Sequence, residues 1–245
     1  MKISIIGTGV YALAMAHSLS LNKKNKIIMW SESDEAKKKI ESNRQSLAIL
    51  GGLNLDSSIK ITTSYEEALI DSQVVFIMCA AKFVSSVTKE IKPFVTKQMH
   101  FVIGSKGIEQ ETCRFVHEVF LESIHTRNLA VISGPSFAID IANLEPIGLS
   151  CATKSKETLE ILMAAYKGTN IKIRYTNDLV GVELCGSIKN VIAVSAGILE
   201  GLGYSESTRS FLITESLHDI KELIKALGGN KKTILSFAGV GDLLL

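Results

Sequence analysis

Five short stretches of this chain carry the residue types that chemistry needs. The first is Gly7-Thr8-Gly9-Val10-Tyr11-Ala12, a G-x-G-x-x-A loop that follows directly on an apolar run beginning at Met1. A backbone turning this sharply needs Gly7. One that must touch a pyrophosphate needs Gly9, which has no Cβ in the way, and small Ala12 lets the next helix pack closely on the strand. The N-terminus of that helix adds free N–H groups and a positive dipole end. Alone, such a fingerprint is weak. Its setting strengthens it, with a strand before, helical spacing over Tyr11–Leu21 after, and a second apolar strand at Lys26–Trp30. We therefore expect a dinucleotide on Gly7, Gly9, Val10, Tyr11 and Ala12 rather than an ordinary tight βα turn. After the second strand, Trp30-Ser31-Glu32-Ser33-Asp34 occupies the place where an acidic residue meets a ribose 2′-hydroxyl or a basic one accepts a 2′-phosphate. Glu32 is present and no Arg or Lys is, which favours NAD over NADP.

The other four lie further on. Lys106, in Ser105-Lys106-Gly107, follows the strand His100–Gly104 and so faces the crevice where ligands bind in open parallel sheets; a solvent-facing loop lysine has the same spacing. Ser133-Gly134-Pro135-Ser136-Phe137-Ala138 combines a glycine, a turn-setting proline and a hydroxyl, which fits a substrate loop or a plain helix N-cap. Lys189 and Asn190 interrupt an otherwise apolar helix. Burying an ammonium is costly without a partner and lowers its pKa, which suits proton transfer at a carbonyl or alcohol. The alternative is that Lys189 snorkels to the surface. Asp242, after two glycines, is a carboxylate that can pair with a lysine or simply sit in a turn.

Elements must hold these residues in place. Apolar, Ile- and Val-rich runs recur at Ile3–Ile6, Lys26–Trp30, Gln73–Cys79, His100–Gly104, Ala130–Ser133 and Pro146–Ala152. Helical spacing separates most of them, at Val10–Leu21, Asp34–Asn43, Tyr65–Ile70, Val84–Ile91 and Glu111–Ile124. The pattern predicts a mostly parallel α/β sheet of Rossmann type with helices on both faces. The Gly51-Gly52 pair within Leu47–Asp56 predicts a loop or broken turn. From Asp178 to Gly229 no strand pattern occurs. Val180 to Ile198 predicts a long, largely buried helix, Glu206–Leu227 a second, and Lys231–Phe237 a short third. The domains are thus 1–177, dinucleotide-binding, and 178–245, an incomplete all-helical substrate domain, with the active site between them.

Bulk properties narrow the function. The chain has 245 residues, 46% of them hydrophobic and 21% charged, with a net charge of +2. That balance is globular and gives no electrostatic drive toward nucleic acid, since the short lysine runs have no interleaved aromatics. Cys79, Cys113, Cys151 and Cys185 are far apart and lack metal-ligand spacing, so free, mostly buried thiols and no metal are expected. No signal peptide and no apolar run of membrane-spanning length stand out, which predicts a cytoplasmic protein acting on a small molecule, with a homodimer possible.

Taken together, these motifs resemble the bacterial-type NAD(P)-dependent glycerol-3-phosphate dehydrogenases. The resemblance rests on the glycine loop followed by an aromatic, Met29-Trp30, Ser-Lys-Gly-Ile-Glu at 105–109, Ile-Ser-Gly-Pro-Ser-Phe-Ala at 132–138, Gly-Val-Glu-Leu-x-Gly-x-Ile-Lys-Asn-Val-Ile-Ala from Gly181, and Ala-Gly-x-Gly-Asp-Leu from Ala238. It implies interconversion of dihydroxyacetone phosphate and sn-glycerol 3-phosphate, with supply to glycerophospholipid synthesis. Lys189 would be the proton donor, oriented by Asp242. Lys106 and Ala138 would lie near the nicotinamide, and Lys106, Gly134, Ser136, Lys189, Asn190 and Asp242 against the substrate. Some family features are replaced. Glu215-Ser216 stands where the family has Arg-Gly, Ala80-Ala81 where it has Pro-Ser, and the family's Ser-Arg-Asn phosphate grip is not in the chain. The sequence therefore reads as a C-terminally truncated member. The alternatives are a catalytically impaired dinucleotide-binding remnant, a partial chain of a complete enzyme, and a two-domain hydroxy-acid dehydrogenase.

Overall fold

The computed structural model describes residues 1–245. One eight-stranded sheet organises the molecule, in the order β3-β2-β1-β4-β5-β6-β7-β8. Its strands are β1 (Lys2–Ile6), β2 (Lys26–Trp30), β3 (Lys60–Thr62), β4 (Val74–Ile77), β5 (His100–Ile103), β6 (Leu129–Ser133), β7 (Ile147–Thr153) and β8 (Ile171–Thr176). All neighbours pair parallel except β6 and β7, where Ile132 lies opposite Cys151. After β3 the chain crosses back to place β4 on the other side of β1. That reversal opens a crevice at the carboxyl ends of β1 and β4, the place where open α/β sheets bind ligands.

Continuous apolar runs form the central strands because both faces are covered. Val74 to Ile77 and Phe101 to Ile103 are fully buried. One face is roofed by α1 (Val10–Ser20), α6 (Ala138–Ala142) and α7 (Lys156–Ala165), and the other by α3 (Tyr65–Leu69), α4 (Val84–Ile91) and α5 (Val116–Ser123). Each fully buried Ile or Phe contributes roughly 1.5–3 kcal/mol of transfer free energy. α2 (Asp34–Ser42) is capped by the Ser33 hydroxyl, which accepts from the Ala36 N–H at 3.1 Å.

Beyond β8 the chain is helical, with α8 (Leu179–Gly201), α9 (Glu206–Ala226), a 3-10 turn at Lys231–Leu235 and an irregular helical turn at Phe237–Gly241. Asp178 anchors this region. Its buried carboxylate accepts from the Gly181 and Asn230 N–H groups, both at 2.9 Å, and from the Thr233 hydroxyl at 2.5 Å. Val182, Leu184, Ile220, Ile224 and Ile234 join the same core as β4 and β5.

Several elements depart from expectation. α8 is not largely buried, because only its first half packs on the sheet. Leu179 and Val182 to Gly186 are buried, whereas Val191, Val194 and Ile198 are 63%, 64% and 57% exposed. By length and composition alone α8 is also apolar enough to cross a membrane, contrary to the sequence reading, although its first half is committed to the core. α5 starts at Val116 rather than Glu111, since Cys113 adopts a left-handed φ of 57° and Ile108 bridges Phe115. β3, β8 and α7 were not anticipated, whereas α6 begins at the end of the 133–138 stretch that offered a helix start. Residues 47–53 hold a 3-10 turn at Ala48–Leu50 closed by a Leu47–Leu53 bridge, in line with the expected broken turn. Of the four free thiols, Cys113 is exposed.

Candidate active site

Lys106 stands just past β5. Its loop is pinned to the neighbouring strand exit, because the Ser105 hydroxyl donates to the Cys79 carbonyl at 2.5 Å. Gly107 has φ 136°, and a Cβ there would lie 3.0 Å from that of Ala81. Gly134 follows β6, where a side chain is impossible: its Cβ would lie 2.5 Å from the backbone oxygen of Gly148. Lys189 is on α8. Three residues earlier, Gly186 lets the helix settle on β6, and a Cβ there would meet the Ser133 hydroxyl at 2.6 Å. Asp242 emerges from the Phe237–Gly241 turn with its side chain fully buried.

These four elements converge on one carboxylate. Lys106 Nζ donates to Asp242 Oδ2 at 2.6 Å, and Lys189 Nζ donates to Asp242 Oδ1 at 2.6 Å. The Ser133 hydroxyl lies 3.4 Å from Oδ2, and Lys106 Nζ is also 3.4 Å from the Gly134 carbonyl. Burial pushes the Lys106 ammonium below its ordinary pKa, and the Asp242 charge opposes that shift. Both lysines keep about a fifth of their side chains exposed. Two ammonium groups on one carboxylate leave a surplus positive charge facing the crevice, where reduced dielectric strengthens its pull on an oxyanion or phosphate. Lys189 does not snorkel away. Its Nζ also sits 5.9 Å from the centre of the half-exposed Phe137 ring. Asn190, by contrast, lies exposed at the rim. Glu215 is exposed on α9 and belongs to none of these ion pairs.

The glycine loop lies at the β1–β4 reversal. Gly7 has φ 125°, and a Cβ there would lie 2.9 Å from the Met78 carbonyl, so the turn tolerates glycine alone. Nothing lies within 4 Å of where a Gly9 Cβ would stand. Gly9 caps α1 without a side-chain bond, leaving first-turn N–H groups open to an anion. Beside it runs a cleft of about 520 Å³ lined by Thr8, Gly9, Val10, Glu32, Lys39 and Ala48, among others. The open space at Gly9, the free helix end and the adjoining cleft fit a dinucleotide. Ala12 is buried against the core. The Thr8 hydroxyl donates to Glu32 at 3.3 Å, holding that carboxylate at the cleft. Tyr11 reaches the other way, its hydroxyl 3.3 Å from that of Ser136, and burial pushes its pKa up to about 12. Ala138 opens α6 next to this loop.

Sequence reasoning singled out the stretch 133–138 but gave Ser133 and Phe137 no role of their own, and it missed Lys39. Ser133 and Phe137 flank the Gly-Pro-Ser motif and could have been suspected from it. Lys39 lies more than a turn into α2, beyond the residues that directly follow β2, and reaches the cleft from there.

A dinucleotide cleft at a sheet reversal, joined to two lysines sharing a carboxylate, defines a two-region NAD(P)-linked dehydrogenase acting at a carbonyl or alcohol carbon. Comparison with known proteins narrows the class. Residues 2–159 match the NAD-dependent glycerol-3-phosphate dehydrogenase N-terminus family, and residues 178–245 match the corresponding C-terminus family. An NAD(P)+-dependent glycerol-3-phosphate dehydrogenase of Bacillus subtilis is 33% identical, aligned over 100% of this chain and 71% of its own length. One from Staphylococcus haemolyticus is 31% identical over 100% of this chain and 74% of its own. The crystal structure of glycerol-3-phosphate dehydrogenase from Coxiella burnetii superposes with a TM-score of 0.93 at 28% identity, covering 100% of this chain and 74% of that one. The chain belongs to the NAD-dependent glycerol-3-phosphate dehydrogenase family.

Proposed function

We propose that this protein interconverts dihydroxyacetone phosphate and sn-glycerol 3-phosphate, with Lys189 as the proton-transferring residue. The observation that carries the reading is the Lys106–Asp242–Lys189 group, with each ammonium 2.6 Å from a different oxygen of one buried carboxylate. When bound, the reduced nicotinamide supplies a hydride to the carbonyl carbon of the ketone. Lys189 donates the proton to the carbonyl oxygen as negative charge grows there, and takes it back in the reverse direction. Asp242 orients that ammonium. Lys106 stabilises the developing oxyanion and the substrate phosphate through its remaining donors. Gly134, Ser136 and Asn190 line the substrate side. Gly7, Gly9, Val10 and Tyr11 form the turn that holds the pyrophosphate, Ala12 packs behind it in the core, and Ala138 lies toward the nicotinamide.

Either NAD or NADP serves the family. We assign a preference for NAD to Glu32, whose carboxylate would repel a 2′-phosphate, although Lys39 lines the same cleft. We take residues 1–177 as the dinucleotide unit and 178–245 as the substrate unit. The product is the backbone of glycerophospholipids, and a cytoplasmic setting is where this diffusible chemistry belongs.

The deciding test is oxidation of NADH and NADPH by the purified chain with dihydroxyacetone phosphate, beside Lys189→Ala. Turnover in the parent and a loss of about 10²–10⁴-fold in the variant are expected. Turnover that survives in Lys189→Ala would remove Lys189 from the chemistry. A folded, dinucleotide-binding parent without turnover would make the chain a binding remnant.

A further inference from the structure

Between the dinucleotide loop and the lysine group runs a continuous polar path. Tyr11, in the first turn of α1, is carried by the glycine loop itself. Its hydroxyl has one hydrogen-bonding partner, Ser136 Oγ at 3.3 Å. Ser136, 8% exposed, donates in turn to the Gly134 carbonyl at 2.9 Å. That same carbonyl lies 3.4 Å from Lys106 Nζ, which holds Asp242, and Asp242 holds Lys189. A phenol set among apolar groups is fixed by whatever partner it finds, so the Tyr11 ring cannot move without disturbing the Ser136 loop. α1, which carries Tyr11, packs in the core against α6, which begins two residues after Ser136.

From this path we propose that the Tyr11 hydroxyl is a positioning residue that couples the two binding sites. Pyrophosphate bound at the N-terminus of α1 fixes the first helical turn. Tyr11 passes that ordering to Ser136 and Gly134, and so to the loop and lysines that receive the phosphorylated substrate. Binding at either site then strengthens binding at the other, and reciprocally. A phenylalanine ring would fill the same space but leave Ser136 bonded to the Gly134 carbonyl alone. The inference rests on the functional reading above, because it takes Ser136 and the lysines to be the substrate side.

The coupling is measurable without turnover. NADH and glycerol 3-phosphate are both reduced, so they form a ternary complex that cannot react. Isothermal titration calorimetry of NADH, with and without saturating glycerol 3-phosphate, gives the coupling factor as a ratio of two Kd values. A ratio is insensitive to affinity lost equally in both titrations. For the parent chain we expect NADH to bind at least about fivefold more tightly in the ternary complex. For Tyr11→Phe the factor should fall below about twofold, with Ser136→Ala giving the same fall and the double variant falling no further. A parent-like factor in Tyr11→Phe, or losses in the two single variants that multiply in the double, would overturn the proposal. So would a parent that turns over yet shows no coupling. A parent that neither turns over nor binds glycerol 3-phosphate would instead remove the functional reading beneath it.

Discussion

The two ends of α8 have the same kind of sequence and opposite surroundings. From Leu179 to Gly186 the helix lies on β6 and β7 with every residue but Val180 buried, whereas further on Val191, Val194 and Ile198 face solvent. Lys189 sits at the junction. Its position is therefore set by the contacts that precede it: the Asp178 clamp, Val182 and Leu184 in the core, and Gly186 against Ser133. Composition alone does not make a helix a good mount for a catalytic group. Contact on one side of that group, close enough to exclude even a methyl, does.

The largest effect should come from removing the carboxylate that joins the two regions. Asp242→Ala leaves two lysines facing each other without their counter-charge. Breaking such a partly buried group should cost about 3 kcal/mol of stability, read as a lower midpoint in urea, and turnover should vanish. An unchanged midpoint would show that the sheet and the helix hold their places independently.

A sharper contrast uses two glycines of the same helix. Gly186→Ala forces a methyl onto the Ser133 hydroxyl 2.6 Å away, and should destabilise by roughly 1–3 kcal/mol while displacing Lys189. Gly197→Ala adds its methyl to open space and should stabilise by roughly 0.5–1 kcal/mol through helix propensity. Equal effects of the two in thermal unfolding would erase the distinction between the halves.

The smallest effect concerns Glu183, buried on the packed half and paired with the ring and the N–H of His117. Burial raises its pKa above the ordinary carboxylate value, and the His117 contacts oppose that. With the folded pKa above the unfolded one, the folded state takes up the proton first as pH falls. The carboxylate thus costs stability above its folded pKa, and the cost disappears on acidification. Glu183→Gln should accordingly gain on the parent at pH 8 and lose that advantage toward pH 4, in paired melting curves. The opposite trend would mean that His117 more than compensates the burial.

How much of this was legible depended on where the signal was local. The glycine loop could be read because three fixed spacings and two flanking strands coincide. β4 and β5 were readable because burial on both faces forces unbroken apolar runs. β8 was missed for the converse reason. Ile171 and Ile173 alternate with exposed Lys172 and Arg174, the pattern of an edge strand covered on one face. β3 is only three residues long, too short for periodicity to register. Of the site, Lys106, Lys189 and Asp242 were legible as odd polar residues. Their meeting on one carboxylate was not, because it depends on contacts between residues 53 and 136 positions apart. The exposure of Val191, Val194 and Ile198 was equally hidden, since an apolar stripe does not say whether anything lies against it.

The uneven packing of α8 also gives the helix two clocks. Amide hydrogens before Lys189 are locked beneath the core and exchange with solvent only when the whole fold opens. Those beyond Val191 are held only by the helix's own hydrogen bonds and by α9, with Arg209 paired to Glu200, and so open at lower cost. Lys189, held by Asp242, sits on the last turn of the slow segment, so that opening of the outer half stops just short of it.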